Sequence, residues 1–173
     1  DPTRNDFHDP YLMPDMDKAI ERILKAIENK EKVLIYGDYD VDGITSVTVL
    51  KKFLAEIGLE TEYYIPNRLE EGYGLNNNAL DKIAANGTKL LITVDCGISA
   101  VKEVEELKDL GVDVIVTDHH EIPDQIPDCT VINCKLNDGY PFDGLCGAGV
   151  AYKLATALIG KKADEFIDVV AVA

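Results

Sequence analysis

Short, unbroken apolar runs that each stop at a polar turn constrain this chain more than any other feature. Val33-Leu34-Ile35-Tyr36 stops at Gly37, Leu90–Val94 at Asp95, and Asp113–Thr117 at Asp118; Thr61–Ile65 and a shorter Thr130–Ile132 also read as strands. Runs of this length without polar alternation are strands covered on both faces. Helical patterns lie between them. Met16, Ala19, Ile20, Ile23, Leu24 and Ile27 form an i, i+3, i+4, i+7 stripe within 14–30. A second helical segment, 44–57, closes at Gly58. Asn76 is placed to cap a helix running to about Ala85, and Ser99 one running to Leu110 before Gly111. Residues 147–159 and 163–173 read as helical, 66–75 and 134–146 as loops, and 1–13 as a loose lead-in. Strands alternating with helices predict an α/β fold: a parallel β-sheet of about five strands, helices on both faces, and right-handed crossovers.

Charge narrows the partners. The 173 residues carry 17 Lys and Arg against 32 Asp and Glu, a net charge of −15. That excludes a domain gripping nucleic acid through a broad basic face. It leaves phosphate chemistry open, because bound divalent cations turn an acidic pocket into a phosphate site. No apolar run approaches the ~18 residues of a membrane span, and the acidic, polar start from Asp1 to Pro14 does not read as a signal peptide. Cys96, Cys129, Cys134 and Cys146 form no CxxC pair and are too sparse for a disulfide scaffold, so reduced thiols in a cytoplasmic protein are expected.

Open parallel sheets bind ligands at the carboxyl ends of their strands. Here those ends read Gly37-Asp38-Tyr39-Asp40-Val41-Asp42-Gly43, then Asp95-Cys96-Gly97, then Asp118-His119-His120-Glu121. They predict one acidic crevice containing two of the three histidines. Carboxylates packed together stay ionised only beside a cation. In an extended segment Asp38, Asp40 and Asp42 share a face. Carboxylate and imidazole donors suit Mn²⁺ or Mg²⁺ better than structural zinc. There are donors enough for two ions sharing a carboxylate, a pairing that activates water and stabilises an in-line attack on phosphorus. Asp-x-Asp-x-Asp-Gly also opens calcium loops, but the twelfth position from Asp38 is Val49 rather than Glu. Taken singly, Asp95 reads equally as a capping carboxylate and the histidine pair as loop surface; the case rests on three equivalent strand ends.

At these residues the sequence resembles the DHH phosphoesterase superfamily, and within it the RecJ single-stranded-DNA exonucleases. The three strand-end segments match the motifs, as do Pro66-Asn67-Arg68, Gly72-Tyr73-Gly74-Leu75, Ile132-Asn133-Cys134-Lys135 and Gly147-Ala148-Gly149-Val150-Ala151-Tyr152-Lys153. The resemblance implies a Rossmann-like DHH domain over 14–173. It implies Asp40 and Asp42 as ligands of one metal each, Asp95 as the bridge, His119 as a further ligand, and Asp38 as a ligand or close partner. His120 is implied to lie against the scissile phosphate and Asp118 to orient the histidines. Arg68 is either a phosphate clamp or a solvated loop arginine. The glycines of Gly147-Ala148-Gly149 either admit phosphate to a helix N-terminus or allow close helix–sheet packing.

Tyr36 departs from the pattern, standing four residues before Asp40 where many superfamily members carry a metal-binding His. Cys134 stands where relatives often have proline. A further metal-binding Asp, expected a few residues past Ala173, and a second closing domain are not in this sequence. The implied activity is Mn²⁺- or Mg²⁺-dependent, 5′-to-3′ hydrolysis of single-stranded DNA in repair and recombination. The main grip on DNA would lie outside this segment, and activity of the segment alone would be weak or nil. The alternatives are a DHH phosphodiesterase of short oligonucleotides or cyclic dinucleotides, and an inactive RecJ-like scaffold.

Overall fold

A computed structural model describes residues 6–173, with residues 77, 78, 138, 161 and 162 described by backbone alone; the first five residues of the lead-in lie outside it. Five strands, β1 (Val33–Gly37), β2 (Thr61–Tyr64), β3 (Leu90–Val94), β4 (Asp113–Asp118) and β5 (Thr130–Asn133), form one sheet in the order β2-β1-β3-β4-β5. Every pairing is parallel, with Val33 opposite both Thr61 and Leu90, and Leu90 opposite Asp113. The helices are α1 (Met16–Glu28), α2 (Val41–Glu56), α3 (Asn77–Ala85), α4 (Val101–Asp109), α5 (Gly147–Ile159) and the short α6 (Ile167–Val170).

The strand side chains alternate between two cores. Val33, Ile35, Leu90, Ile92, Val94, Ile115 and Ile132 pack with α1, α2 and α5 through Ile23, Leu50, Leu54, Val150 and Leu154. Leu34, Tyr36, Leu91, Val114, Val116 and Val131 pack with α3 and α4 through Leu80, Ile83, Val104 and Leu107. β1 and β3 are buried on both faces, which is why they read as unbroken apolar runs, whereas β2 at the edge leaves Glu62 and Tyr63 exposed and is not covered on both faces as expected. The strand order reverses between β1 and β3, and ligands of such sheets sit beyond the carboxyl ends at that point.

Several boundaries differ from the sequence reading. α2 starts at Val41, three residues early, because Asp40 caps it, accepting from the Gly43 N–H at 2.9 Å. Asp42 therefore lies in a helical first turn, and the shared extended face expected for Asp38, Asp40 and Asp42 does not form. Ser99 does not cap α4: the preceding loop is drawn onto Asp118, which accepts from Ile98 N–H at 2.9 Å, and Ala100 stands at the cap. Asn76 does cap α3, accepting from Ala79 N–H at 3.0 Å. The helix expected over 163–173 is a 3₁₀ stretch, Gly160–Phe166, leading into α6, after Gly160 turns the chain at φ 62°. The described residues of the lead-in are tied down rather than loose: Lys153 Nζ donates to the His8 carbonyl at 2.8 Å and Tyr11 Oη to the Ala157 carbonyl at 3.2 Å. No described helix is long and apolar enough to cross a membrane.

Candidate metal centre

The turn after β1 brings the first carboxylates together. A Cβ on Gly43 would fall 2.4 Å from the Asp38 carbonyl oxygen, so only glycine lets α2 start this close under the strand end. Asp38 is buried, and burial raises its pKa above the usual carboxylate range, with Asp40 adding to the rise and His120 and Arg68 opposing it. Its Oδ1 accepts from Tyr39 N–H at 2.8 Å.

Asp95 follows β3 in the left-handed region, at φ 60°, a conformation that costs a non-glycine residue on the order of 1 kcal/mol or more. Only 2% of its surface is exposed. Burial pushes its carboxyl up to about 6, and Asp42 and Asp40 push the same way, while His119 opposes. His119 Nε2 stands 3.1 Å from Asp95 Oδ1 and 3.5 Å from Asp42 Oδ2. The 3.1 Å approach is an ion-pair distance without hydrogen-bond alignment, so Oδ1 is buried with no hydrogen-bond partner. Proximity to Asp95 raises the His119 pKa.

Asp118 ends β4 with no exposed surface. Its Oδ1 accepts from the backbone N–H groups of His119 and His120 at 2.8 and 3.2 Å and lies 2.7 Å from His120 Nδ1; Oδ2 accepts from Ile98 N–H. This carboxylate fixes both the backbone turn and the ring of His120.

Two sets of ligand atoms converge, each within 4.8 Å: Asp38, Asp40 and Asp95 in one, Asp95, His119 and His120 in the other. Asp95 is common to both. The orphaned Oδ1, its raised pKa and the hard oxygen and nitrogen donors fit one or two divalent cations held across Asp95. Asp42 lies beside these sets. Its two oxygens accept from Gly147 N–H at 2.7 Å and Ala148 N–H at 2.8 Å. Of the amides of Gly147-Ala148-Gly149, two thus serve Asp42 and the third, Gly149 N–H, serves Cys146 Sγ at 3.4 Å. A Cβ on Gly147 would fall 2.5 Å from Asp95 Oδ1, so this glycine lets the start of α5 approach Asp95. Arg68 is exposed and lies over the Tyr39 ring, 5.2 Å from its centroid.

Two residues at the site were not singled out individually by the sequence reading. Tyr73 Oη lies 3.3 Å from His120 Nδ1 and 3.4 Å from the Asp95 carbonyl oxygen. Asn133 Nδ2 donates to the His120 carbonyl at 3.0 Å. Both lie in matched motifs, which was the available signal. An apolar cavity of about 420 Å³, lined by Phe7, Tyr140, Tyr152 and Lys153 among others, touches none of the clustered carboxylates or histidines.

Residues 32–173 match the model of the DHH family, N-terminal domain. The chain belongs to the DHH family. Among curated DHH relatives, the single-stranded-DNA-specific exonuclease RecJ of Bacillus subtilis is 47% identical over 96% of this chain and 22% of its own length. Its Escherichia coli counterpart is 39% identical over 83% of this chain and 25% of its own length. The chain thus spans about a quarter of these relatives. A solved structure described as exonuclease RecJ bound to manganese superposes with a TM-score of 0.84 at 34% identity, covering 92% of this chain and 42% of that one. RecJ in complex with Mn²⁺ from Thermus thermophilus gives 0.79 at 29% identity, covering 92% and 23%.

Proposed function

We propose that residues 14–173 form the phosphoesterase domain of a cytoplasmic, Mn²⁺- or Mg²⁺-dependent exonuclease that hydrolyses single-stranded DNA from the 5′ end to 5′-mononucleotides. The observation that carries this reading is the sharing of one buried carboxylate, Asp95, whose Oδ1 accepts no hydrogen bond, by an aspartate set and a histidine set. The RecJ relatives, described as exonucleases specific for single-stranded DNA, supply the substrate class. Two cations at such a centre supply water activation and charge stabilisation at phosphorus.

Asp38, Asp40, Asp95 and His119 are the proposed holders, with Asp42 a further ligand through whichever lone pairs its two amide bonds leave. His120 faces the scissile phosphate, Asp118 holds its ring, and Arg68 clamps a phosphate oxygen. With a net charge of −15 the segment supplies chemistry rather than a broad basic grip.

Titration calorimetry of this chain with Mn²⁺, beside Asp95→Ala, tests the centre. Saturable binding near two ions, lost in the variant, is expected; no saturable binding sinks the shared site. Cleavage of 5′-labelled single strands by the protein that carries this segment tests the substrate. Faster turnover of a dinucleotide than of a long strand would overturn the exonuclease assignment.

A further inference from the structure

The loop from Pro66 to Leu75 lies against the centre, and its Gly-Tyr-Gly-Leu motif has so far no role. Tyr36, at the position where related proteins place a metal-binding histidine, points into the opposite core and has no exposed surface. Its hydroxyl donates to the Gly74 carbonyl at 2.9 Å and accepts from Asn76 Nδ2 at 3.1 Å. Its ring stacks on Tyr64 at 5.4 Å, and the Tyr64 hydroxyl in turn donates to Glu71. Glu71 also accepts from Asn67 N–H at 2.8 Å. The loop is therefore fastened at Asn67, Glu71, Gly74 and Asn76.

Between two left-handed glycines, Gly72 at φ 75° and Gly74 at φ 78°, this fastened loop presents Tyr73. The Tyr73 ring meets the His120 ring edge-on, with centroids 5.8 Å apart and planes at 73°. Its hydroxyl sits 3.3 Å from His120 Nδ1 and 3.4 Å from the Asp95 carbonyl oxygen. Because the carboxylate oxygen Asp118 Oδ1 lies 2.7 Å from the same Nδ1, that nitrogen carries the proton and donates it to Asp118, so the Tyr73 hydroxyl donates to the Asp95 carbonyl and meets His120 through its ring. Tyr73 thus spans two strand ends, β3 through the Asp95 backbone and β4 through the His120 ring.

We propose that Tyr73 is a positioning residue for His120, holding the imidazole against Asp118 with its second nitrogen turned to the centre, and that Tyr36 anchors the loop that places it. The reading of His120 as a phosphate contact is taken from the proposed function; the positioning itself is independent of it.

Tyr73 is half-exposed, so Tyr73→Phe and Tyr73→Ala are tolerated by the fold, and Tyr36→Phe keeps the buried ring. The first readout is the imidazole ¹⁵N–¹H spectrum of the metal-free chain. In the wild type, His120 shows one tautomer, protonated at Nδ1. In Tyr73→Ala it shows tautomer averaging and faster exchange of that proton; Tyr73→Phe and Tyr36→Phe fall between. An unchanged His120 signature in Tyr73→Ala overturns the proposal.

The second readout is cleavage by the protein that carries this segment. Tyr73→Ala is expected to lower kcat about 10-fold or more, with KM for single strands and Mn²⁺ affinity each within about threefold of wild type. A rise in KM at unchanged kcat makes Tyr73 a strand-contacting surface instead, and lost Mn²⁺ affinity makes it part of the metal site; either overturns positioning. Should the wild-type protein cut no DNA, the proposed function fails and the imidazole spectra alone decide the role of Tyr73.

Discussion

The two ends of the same sheet treat their carboxylates in opposite ways. At the amino ends, Arg22 Nε lies 2.7 Å from Asp113 and its Nη2 2.6 Å from Glu31, and Lys32 Nζ lies 2.8 Å from Glu62. At the carboxyl ends, Asp38, Asp40, Asp42, Asp95 and Asp118 have no Lys or Arg nitrogen within 4.0 Å among the described residues; their partners are backbone N–H groups and two imidazoles. Lys and Arg meet the acids at one end, whereas five acids at the other meet only backbone N–H groups and imidazoles, which is the pattern the proposed cation site requires. Burial of Asp38, Asp95 and Asp118 makes the imbalance costly, and a cation held at the proposed site would compensate it.

The strongest way to break this comparison is to remove the shared charge. Asp95→Asn keeps the shape and is expected to abolish saturable Mn²⁺ binding and to lower cleavage by the protein that carries the segment more than about 100-fold, beyond the range for residues that only support a ligand. Near-normal cleavage by that variant would mean the unmatched acids are not a metal centre. Asp118→Asn comes next. An amide accepts at one atom only, so it cannot serve Ile98 N–H, two backbone amides and His120 together. Cleavage should fall about 10–100-fold, with a far-UV spectrum like that of the wild type.

How much of this was legible follows from which interactions are local. The five strands and Asn76 as a cap were readable because burial on both faces and capping leave their mark within a few residues. The three acidic strand ends were readable because parallel topology brings equivalent positions together. The early start of α2 was hidden: Asp40 can cap only when Gly43 packs on the Asp38 carbonyl, a tertiary fact. The amides of Gly147 and Ala148 meet Asp42 across 105 and 106 residues, a pairing that no local pattern in a glycine-rich helix start announces. Tyr73 and Asn133 were missed as individuals for the same reason, since their partners lie 47 and 13 residues away.

At the opposite end, Arg22→Ala sharpens the contrast. It leaves Glu31, whose side chain is 17% exposed, without its cation. Breaking a fully buried pair costs ~3–5 kcal/mol; partial exposure reduces that to about 2 kcal/mol. Urea denaturation measures the loss, and Mn²⁺ binding should stay within about twofold. A variant as stable as the wild type would show that the pairing at the amino ends is decorative.

The smallest effect is a pH dependence that separates the two ends. Asp95 titrates near about 6 in the folded chain against 3.8 for a free carboxyl, because burial disfavours its charge, with Asp42 and Asp40 adding and His119 opposing. The folded state then keeps a proton that the unfolded chain has released, so the associated stability is complete below about pH 3.8 and is lost as pH rises through about 6. His119, raised above 6.5 chiefly by its contact with Asp95, acts with the same sign, its contribution fading as pH rises through its folded value. Between pH 5 and pH 7.5 the metal-free chain should lose about 1.4 kcal/mol from Asp95 alone, read from urea denaturation in the presence of a chelator. Asp95→Asn should flatten this slope. Arg22→Ala should lower stability at both pH values while keeping the wild-type slope, because Arg22 pairs with Glu31 and Asp113 at the other end of the sheet. A wild-type chain whose stability is flat across that interval would mean that the Asp95 carboxyl is solvated, and the unmatched charge at the carboxyl ends would then cost the fold nothing.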